Sequence, residues 1–243
     1  MVPIRLLRSL ALALCLSATG LHAQTLPLPD NLTDLGSEQG EKFFFESDSL
    51  QGYFPLAANF ETQKTPAYCG VASIVIVLNA LHVPAPLTPE HEPFHSFTQD
   101  NVLNEHTETI LPREILARQG MTLDQLGALL ALHPAAVEVR HAAAGGLDAF
   151  RAAARDYLAA KGHFVLVNYL RKTLGQEIGG HISPLAAYDA KADRFLILDV
   201  ARYKYPPIWV KTTDLFDAMN TRDSSNDNKT RGYVLIKTLG AEH

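Results

Sequence analysis

Cys69 is one of two cysteines in the chain, and it stands where an extended segment containing Pro66 gives way to an apolar run. The run CGVASIVIVLNAL has helical spacing, so we expect the thiol at the N-terminus of a helix buried in the centre of a domain. Unsatisfied N–H groups and the helix dipole favour a thiolate there. Cys69 is therefore a candidate nucleophile. A buried core cysteine without chemistry is the alternative interpretation.

A histidine and an aspartate on a predicted β-hairpin over 179–200 could assist that thiol. If Tyr188 pairs with Arg194, then His181 and Asp199 are diagonal neighbours on one face, where long side chains can meet. A hydrogen bond between them would fix the tautomer and orientation of the imidazole. A one-residue bulge would move the two to opposite faces. A structural histidine is the alternative.

Gln63 lies six residues before Cys69 in the segment that Pro66 keeps extended. Its side-chain amide could join the Cys69 N–H as a donor to the oxyanion of a tetrahedral intermediate. The chain order of glutamine, cysteine, histidine and acidic residue matches papain-like enzymes. Taken alone, a glutamine such as Gln63 is most often just a surface polar residue.

Composition predicts a folded protein that does not bind nucleic acid. Of the 243 residues, 47% are hydrophobic and 19% charged, which is enough apolar content to bury one core. The formal net charge of -5 argues against general affinity for phosphate backbones.

The first 23 residues have the pattern of a secretory signal peptide. Arg5 and Arg8 precede the apolar run Leu10–Leu16, which is far shorter than the roughly 20 residues of a membrane-spanning helix. We expect cleavage near Ala23, a periplasmic or secreted protein, and no membrane span. A retained amphipathic anchor is the alternative. Cleavage would leave one cysteine, and an unpaired thiol in an oxidising compartment requires a reason such as catalysis, intermolecular pairing or inert burial.

The remaining chain predicts an irregular lead-in over 24–42 and a single domain over 43–243. Helices come first and strands later, which is the order of an α+β domain. Helices are predicted over 69–81, 112–119, 122–132 and 146–161, and strands over 164–170, 181–188, 194–200, 208–210 and 233–236.

Several stretches together resemble the phytochelatin synthase family, which transfers the γ-glutamylcysteinyl group of glutathione. The resemblance covers roughly 53–236 and is carried chiefly by PAYCG (66–70), GGHISPLAAYD (179–189) and DVARYKYPPIWV (199–210). It implies a papain-like α+β fold, with a helical N-terminal part whose buried central helix begins at the nucleophile and a C-terminal antiparallel sheet.

The resemblance also implies roles for the candidate residues. Cys69 would attack the Cys–Gly bond of glutathione, His181 would act as base and then acid, Asp199 would orient it, and Gln63 would donate to the oxyanion. Glycine leaves, and water or a second glutathione then takes the γ-glutamylcysteinyl group. No obligatory cofactor is expected, and heavy-metal ions such as cadmium would enter as thiolate complexes of the substrate.

Three further residues could bind the charged ends of the γ-glutamyl group, namely Arg231, Asn168 and Ser183. An arginine fork suits a carboxylate, although a surface ion pair is the usual alternative for Arg231. The motif HEPFH (91–95) has metal-capable side chains, but Pro93 spoils a helical ligand face, so we predict no metal site.

No cysteine follows Cys69, so the sequence looks like the short bacterial type of the family. That likeness predicts mainly hydrolysis of glutathione and weaker transfer to a second glutathione. A homodimer is compatible with the sequence. A general secreted cysteine peptidase and a non-catalytic periplasmic metal- or thiol-binding protein are the competing interpretations.

Overall fold

The structure is a computed structural model that describes residues 25–239. The predicted signal peptide over 1–23 lies outside the described residues. The described part contains eight α-helices: α1 (Glu38–Glu46), α2 (Tyr53–Ala58), α3 (Cys69–Ala80), α4 (Glu105–Ile110), α5 (Arg113–Gln119), α6 (Leu123–Leu130), α7 (Ala142–Leu158) and α8 (Thr212–Met219). None of these helices combines the length and the apolar character needed to cross a membrane.

Seven strands of the described residues form one sheet in which all neighbours are antiparallel. They are β1 (Thr33–Asp34), β2 (Ala135–His141), β3 (His163–Leu170), β4 (Gly180–Asp189), β5 (Arg194–Ile197), β6 (Ile208–Lys211) and β7 (Gly232–Thr238). Their order across the sheet is β1-β6-β5-β4-β3-β7-β2. Alternate residues of the strands face two separate apolar clusters, one containing α3 and α6 and the other containing α7 and α8.

Helix α3 is the predicted central helix, and its sequence explains its place. All of its residues except Asn79 are buried, as expected for a helix that is apolar nearly all round. Asn79 exchanges hydrogen bonds of 2.9 Å with the backbone of Phe97 and so ties a loop to the helix. Ser73 Oγ donates to Cys69 O over 2.8 Å and lies 3.3 Å from Ile182 O, which connects the first turn of α3 to β4.

The mixture of helices with an antiparallel sheet confirms the α+β class, although the simple order of helices before strands is wrong. Strand β2 precedes α7, and α8 lies between β6 and β7. The run AAVEVRH of β2 was missed because its strand pattern is short and begins with two alanines, which have little strand propensity. The strands predicted over 164–170 and 208–210 match β3 and β6 to within one residue at each end.

The predicted irregular lead-in over 24–42 is wrong. Thr33 pairs with Trp209, so β1 forms an edge of the sheet next to β6. Ser37 caps α1 by accepting from Gly40 N over 3.1 Å, and Trp209 Nε1 donates to Gly40 O over 3.0 Å. The folded domain therefore begins before residue 43. Its first elements were missed because two-residue strands give no periodic signal.

Strands β4 and β5 form the predicted hairpin, but its pairing at the turn differs by one residue. Asp189, rather than Tyr188, pairs with Arg194. A bulge next to Leu185 then removes this offset, so that Leu185 pairs with Ile197 as the prediction requires. The residues beyond the bulge therefore lie in the predicted alignment.

Candidate active site

A cavity of about 550 Å³ lies where the N-terminus of α3 meets the ends of β3 and β4. Cys69 and His181 line it from the two sides, and both side chains are buried. Its wall also includes Asn168, Arg231 and the backbone of Gly180. The predicted nucleophile and base therefore share one cavity with two of the predicted binding residues.

His181 and Asp199 are joined as the hairpin register predicts. His181 Nε2 lies 2.9 Å from Asp199 Oδ1, and the carboxylate is fully buried. Asp199 Oδ1 also accepts from Ala201 N over 2.8 Å. Because Nε2 faces the carboxylate, Nδ1 is the ring nitrogen left for Cys69.

The environment of Cys69 favours its thiolate. Burial acts to raise the pKa of the thiol, but a hydrogen bond with His181, the positive charge of that imidazole, and backbone hydrogen bonds from Ile182 and Gly70 lower it below its ordinary value. The position of Cys69 as the first residue of α3 adds the positive end of the helix dipole. The thiol is thus placed to react as a thiolate paired with imidazolium.

The pKa values of His181 and Asp199 are shifted in opposite directions. Burial acts to lower the pKa of His181, but the charge of Asp199 and the hydrogen bonds with Asp199 and Cys69 together outweigh it, and the pKa of His181 is raised. Burial acts to raise the pKa of Asp199, but the charge and hydrogen bond of His181 and the charge of Arg171 hold it at about 2. The carboxylate is therefore ionised at neutral pH.

Arg171 is a buried member of this cluster that the sequence prediction missed. Its Nη2 donates to Asp199 Oδ1 over 2.9 Å, and its side chain is 5% exposed. Arg171 directly follows β3, and β3 and β4 are paired so that Leu170 lies opposite Gly180, the residue before His181. A charged residue directly after a strongly apolar strand, at the sheet end that carries His181, was the signal available in the sequence.

Gln63 is placed near the site, but its amide nitrogen is already engaged. Its backbone N–H donates to Val200 O over 2.9 Å, which fixes this segment beside Asp199. The side-chain Nε2 donates to Thr65 O over 2.8 Å and to Tyr203 Oη over 3.0 Å. For Gln63 to serve as an oxyanion donor, Nε2 must release one of these two partners.

Arg231 and Asn168 both line the cavity and each has a buried polar atom without a hydrogen bond, namely Arg231 Nε and Asn168 Oδ1. Arg231 Nη1 donates to Arg222 O over 2.8 Å, and Nη2 lies 3.6 Å from the carboxylate of Asp223, which also lines the cavity. Arg231 is therefore not a freely solvated surface residue. Residues with a cationic, an anionic and an amide side chain therefore line the same cavity.

The prediction that Ser183 binds substrate is not supported by its position. Ser183 is fully buried and is not among the residues that line the cavity. Its Oγ lies 2.9 Å from His181 Nε2 and accepts from Val200 N over 3.3 Å. The segment that carries Asp199 covers this part of β4, so Ser183 contacts the imidazole from behind rather than from the cavity.

Within residues 25–239, no three histidine, cysteine, aspartate or glutamate side chains are grouped as metal ligands. In the HEPFH segment, His95 Nδ1 lies 3.0 Å from Ala85 O. This contact engages the imidazole with the backbone of its own loop.

Comparison with known proteins identifies the family. A family model described as phytochelatin synthase matches residues 23–233. The chain is 36% identical over 227 residues to glutathione gamma-glutamylcysteinyltransferase 3 of Lotus japonicus, covering 92% of this chain and 46% of that protein. It is 33% identical to the corresponding transferase 1 of Arabidopsis thaliana, with 91% and 44% covered. The transferase of Schizosaccharomyces pombe is 27% identical, with 87% and 50% covered. The chain thus spans about half the length of these relatives, and it belongs to the phytochelatin synthase family.

Proposed function

We propose that this protein cleaves the Cys–Gly peptide bond of glutathione through a thioester on Cys69. The observation that carries the proposal is the contact of Cys69, His181 and Asp199 at a cavity whose wall also holds Arg231 and Asn168. The Cys69 thiolate attacks the carbonyl carbon, and His181 gives its proton to the departing glycine amine. Glycine leaves as the C–N bond breaks, and the γ-glutamylcysteinyl group remains on sulfur.

The thioester is then resolved by water or by a second glutathione. In hydrolysis, His181 takes a proton from water as its oxygen bonds to the carbonyl carbon, and the C–S bond breaks to restore the thiolate. In transfer, the amine of a second glutathione takes the place of water and a phytochelatin forms. We propose that hydrolysis is the larger flux, because transfer requires an acceptor to be bound and aligned whereas water needs no such site.

The charged groups of the cavity support a γ-glutamyl substrate over a general peptide. A γ-glutamyl group ends in a free α-ammonium and an α-carboxylate. Arg231 Nε offers a donor for the carboxylate, while Asp223 and Asn168 Oδ1 offer acceptors for the ammonium. An extended peptide would bring uncharged backbone to these groups and leave them without charged partners.

We also propose that the sheet and central helix form a papain-like arrangement and that the protein acts outside the cytoplasm. The start of α3 at Cys69 and the antiparallel strands that carry His181 support the first statement. The sequence pattern over 1–23 supports the second. Periplasmic or secreted action would require glutathione outside the cytoplasm.

The proposal is tested with a pair of matched substrates. Purified protein should release glycine from glutathione but much more slowly from glutathione acetylated on its α-amine, because acetylation removes the ammonium. Separation of the thiol products at millimolar glutathione, with and without micromolar cadmium, should give more γ-glutamylcysteine than phytochelatin. Equal cleavage of both substrates and of unrelated dipeptide substrates would instead indicate a general cysteine peptidase.

Substitution of the nucleophile separates an enzyme from a binding protein. Cys69→Ser should reduce glycine release by several orders of magnitude. Intact-mass measurement should show a γ-glutamylcysteinyl adduct on the wild type alone. Undiminished turnover in Cys69→Ser would remove the basis of the proposal.

A further inference from the structure

A buried arginine is paired with the carboxylate that orients His181. Arg171 Nη2 lies 2.9 Å from Asp199 Oδ1 and 2.8 Å from Oδ2, and the two side chains are 5% and 0% exposed. Burial removes the solvation of both charges, and a buried ion pair is often no more stabilising than apolar residues of the same volume. Stability alone therefore does not account for this ion pair, and we consider its effect on the chemistry of the site.

The guanidinium of Arg171 is held rigidly. Nη1 donates to Gln176 Oε1 over 2.8 Å, and the guanidinium lies over the ring of Tyr205, 5.1 Å from its centroid. The backbone N–H of Arg171 donates to Gly179 O over 3.0 Å. The guanidinium of Arg171 is consequently held in contact with Asp199.

The titratable groups around His181 come from three elements that pack against it. Cys69 lies at the start of α3, Asp199 follows β5, and Arg171 follows β3. Tyr169 of β3 presents its ring to the imidazole at a centroid distance of 5.7 Å, and burial raises its pKa, so it stays neutral. Arg171 and Asp199 cancel in formal charge, and only the Cys69 and His181 pair changes charge during reaction.

We propose that Arg171 is a positioning residue that holds Asp199 against His181 and offsets its charge, so that His181 can accept and release protons after Cys69 is acylated. This inference rests on the proposed thioester reaction. In the free protein, the thiolate balances the imidazolium. Once sulfur is acylated, that negative charge is gone, and an unbalanced Asp199 would by itself hold His181 as imidazolium, which is not a base.

The step that depends on Arg171 is resolution of the thioester. Neutral His181 takes a proton from the attacking water, the new C–O bond forms, and the C–S bond breaks to leave thiolate beside imidazolium. In keeping with this, burial and the positive charge of Arg171 act to lower the pKa of His181, whereas Asp199 acts to raise it. Removing Arg171 while keeping Asp199 should leave the base protonated over a wider range of pH.

Three substitutions separate charge from hydrogen bonding. Arg171→Met removes both, Arg171→Gln keeps a donor without charge, and Arg171→Lys keeps the charge. We expect the acid limb of the pH profile of kcat for glycine release to move upward by about one pH unit in Arg171→Met and Arg171→Gln, and by much less in Arg171→Lys. At a pH between the wild-type limb and the shifted limb, the two neutral variants should accumulate the thioester on Cys69 by intact mass, whereas the wild type should not.

Arg151→Met is the matched control, because Arg151 also pairs with an aspartate, Asp193, but away from the cavity. It should leave the pH profile unchanged. A purely structural role for Arg171 would lower the melting temperature and the amount of active protein without moving the limb, and this result would overturn the inference. If Arg171→Met does not fold, Arg171→Gln gives the same comparison.

The rate at which iodoacetamide alkylates Cys69 gives a readout that needs no turnover. Its acid limb should also move upward in Arg171→Met and Arg171→Gln and return in Arg171→Lys, since loss of a nearby cation disfavours thiolate. If the wild type does not release glycine, the proposed function fails, yet this alkylation profile still tests the charge effect of Arg171. Unchanged limbs in both neutral variants would refute it.

Discussion

At the scale of single residues, the site is built from side chains whose charges depend on one another. Cys69, His181, Asp199 and Arg171 are all buried, and each makes contact with the next. In such a low-dielectric cluster, changing one group alters the protonation of the others. The effects on kcat of substitutions within this cluster should therefore not multiply, as those of independent sites do.

The first prediction concerns His181 and Asp199 as one unit. Because Asp199 acts only through the imidazole, His181→Ala and the double substitution with Asp199→Ala should reduce kcat to about the same extent. His181→Ala combined with Asp193→Asn, which lies outside the cavity, should show effects that multiply. Steady-state glycine release gives kcat for both double-mutant cycles. If the effects of His181→Ala and Asp199→Ala on kcat multiply, the hydrogen bond between these two residues does not contribute to catalysis.

The second prediction concerns Arg231. Arg231→Met should raise KM for glutathione about tenfold to hundredfold while changing kcat less, since charge-assisted hydrogen bonds to a substrate carboxylate are lost in ground and transition states alike. Arg222→Met is the matched control, because its exposed side chain donates to Asn228 O and is not part of the cavity wall. A fall in kcat with unchanged KM would place Arg231 outside substrate binding.

At the scale of elements, the hairpin shows how far sequence reasoning reached. The prediction that His181 and Asp199 lie together assumes an uninterrupted ladder that begins at Tyr188 and Arg194. The true ladder begins one residue later, and a bulge beside Leu185 compensates. The side-chain pattern predicts which faces are buried, but a bulge between Leu185 and Ala187, within a continuously buried stretch, leaves no trace in that pattern.

Other features depended on contacts between distant parts of the chain. The helices over Cys69–Ala80 and Leu123–Leu130 were predictable because helical spacing is local. The burial of Ser183 behind His181 and the pairing of Arg171 with Asp199 come from packing between strands, which no local spacing encodes. The two-residue strand β1 is likewise defined only by its partner β6.

The third prediction tests whether α1 belongs to the folded domain. A Cβ on Gly40 would lie 1.9 Å from Asp34 O and 2.7 Å from Leu35 O, and backbone atoms cannot move aside as a side chain can. Gly40→Ala should lower the free energy of unfolding by about 2 kcal/mol or more. Gly52→Ala, where the nearest atom lies at 3.6 Å, should cost less than about 1 kcal/mol. Urea unfolding compares the two, and equal values would mean that α1 contributes little to the domain.

At the scale of the whole molecule, a polar cluster remote from the cavity joins the hairpin of β4 and β5 to the layer of helices that contains α7 and α8. Asp193, in the turn between β4 and β5, accepts from Arg151 of α7 at 3.0 Å, from Tyr188 Oη at 2.8 Å and from Thr212 Oγ1 at 2.6 Å at the start of α8. One carboxylate thus connects the hairpin to both helices of that layer. Loss of the charge of Asp193 should therefore lower the free energy of unfolding of the domain and leave the active site unchanged.

The last prediction uses pH to isolate this cluster. Burial acts to raise the pKa of Asp193, but hydrogen bonds from Arg151, Thr212 and Tyr188 lower it below its ordinary value. A carboxyl whose pKa is lower when folded stabilises the protein above its unfolded pKa of about 3.9, and that contribution is lost as the pH falls below this value. Asp193→Asn should therefore reduce the free energy of unfolding at pH 7 by about 1 to 2 kcal/mol, a modest figure because the side chain is 38% exposed. Asparagine also tolerates the backbone φ of 50° at this position.

The difference in the free energy of unfolding between Asp193→Asn and wild type should shrink as the pH is lowered from 5 to 3 in urea unfolding. Asp148→Asn, which removes the other, 95% exposed carboxylate partner of Arg151, should show almost no difference at any pH. A difference for Asp193→Asn that stays constant down to pH 3 would show that the stabilisation comes from side-chain shape and not from charge.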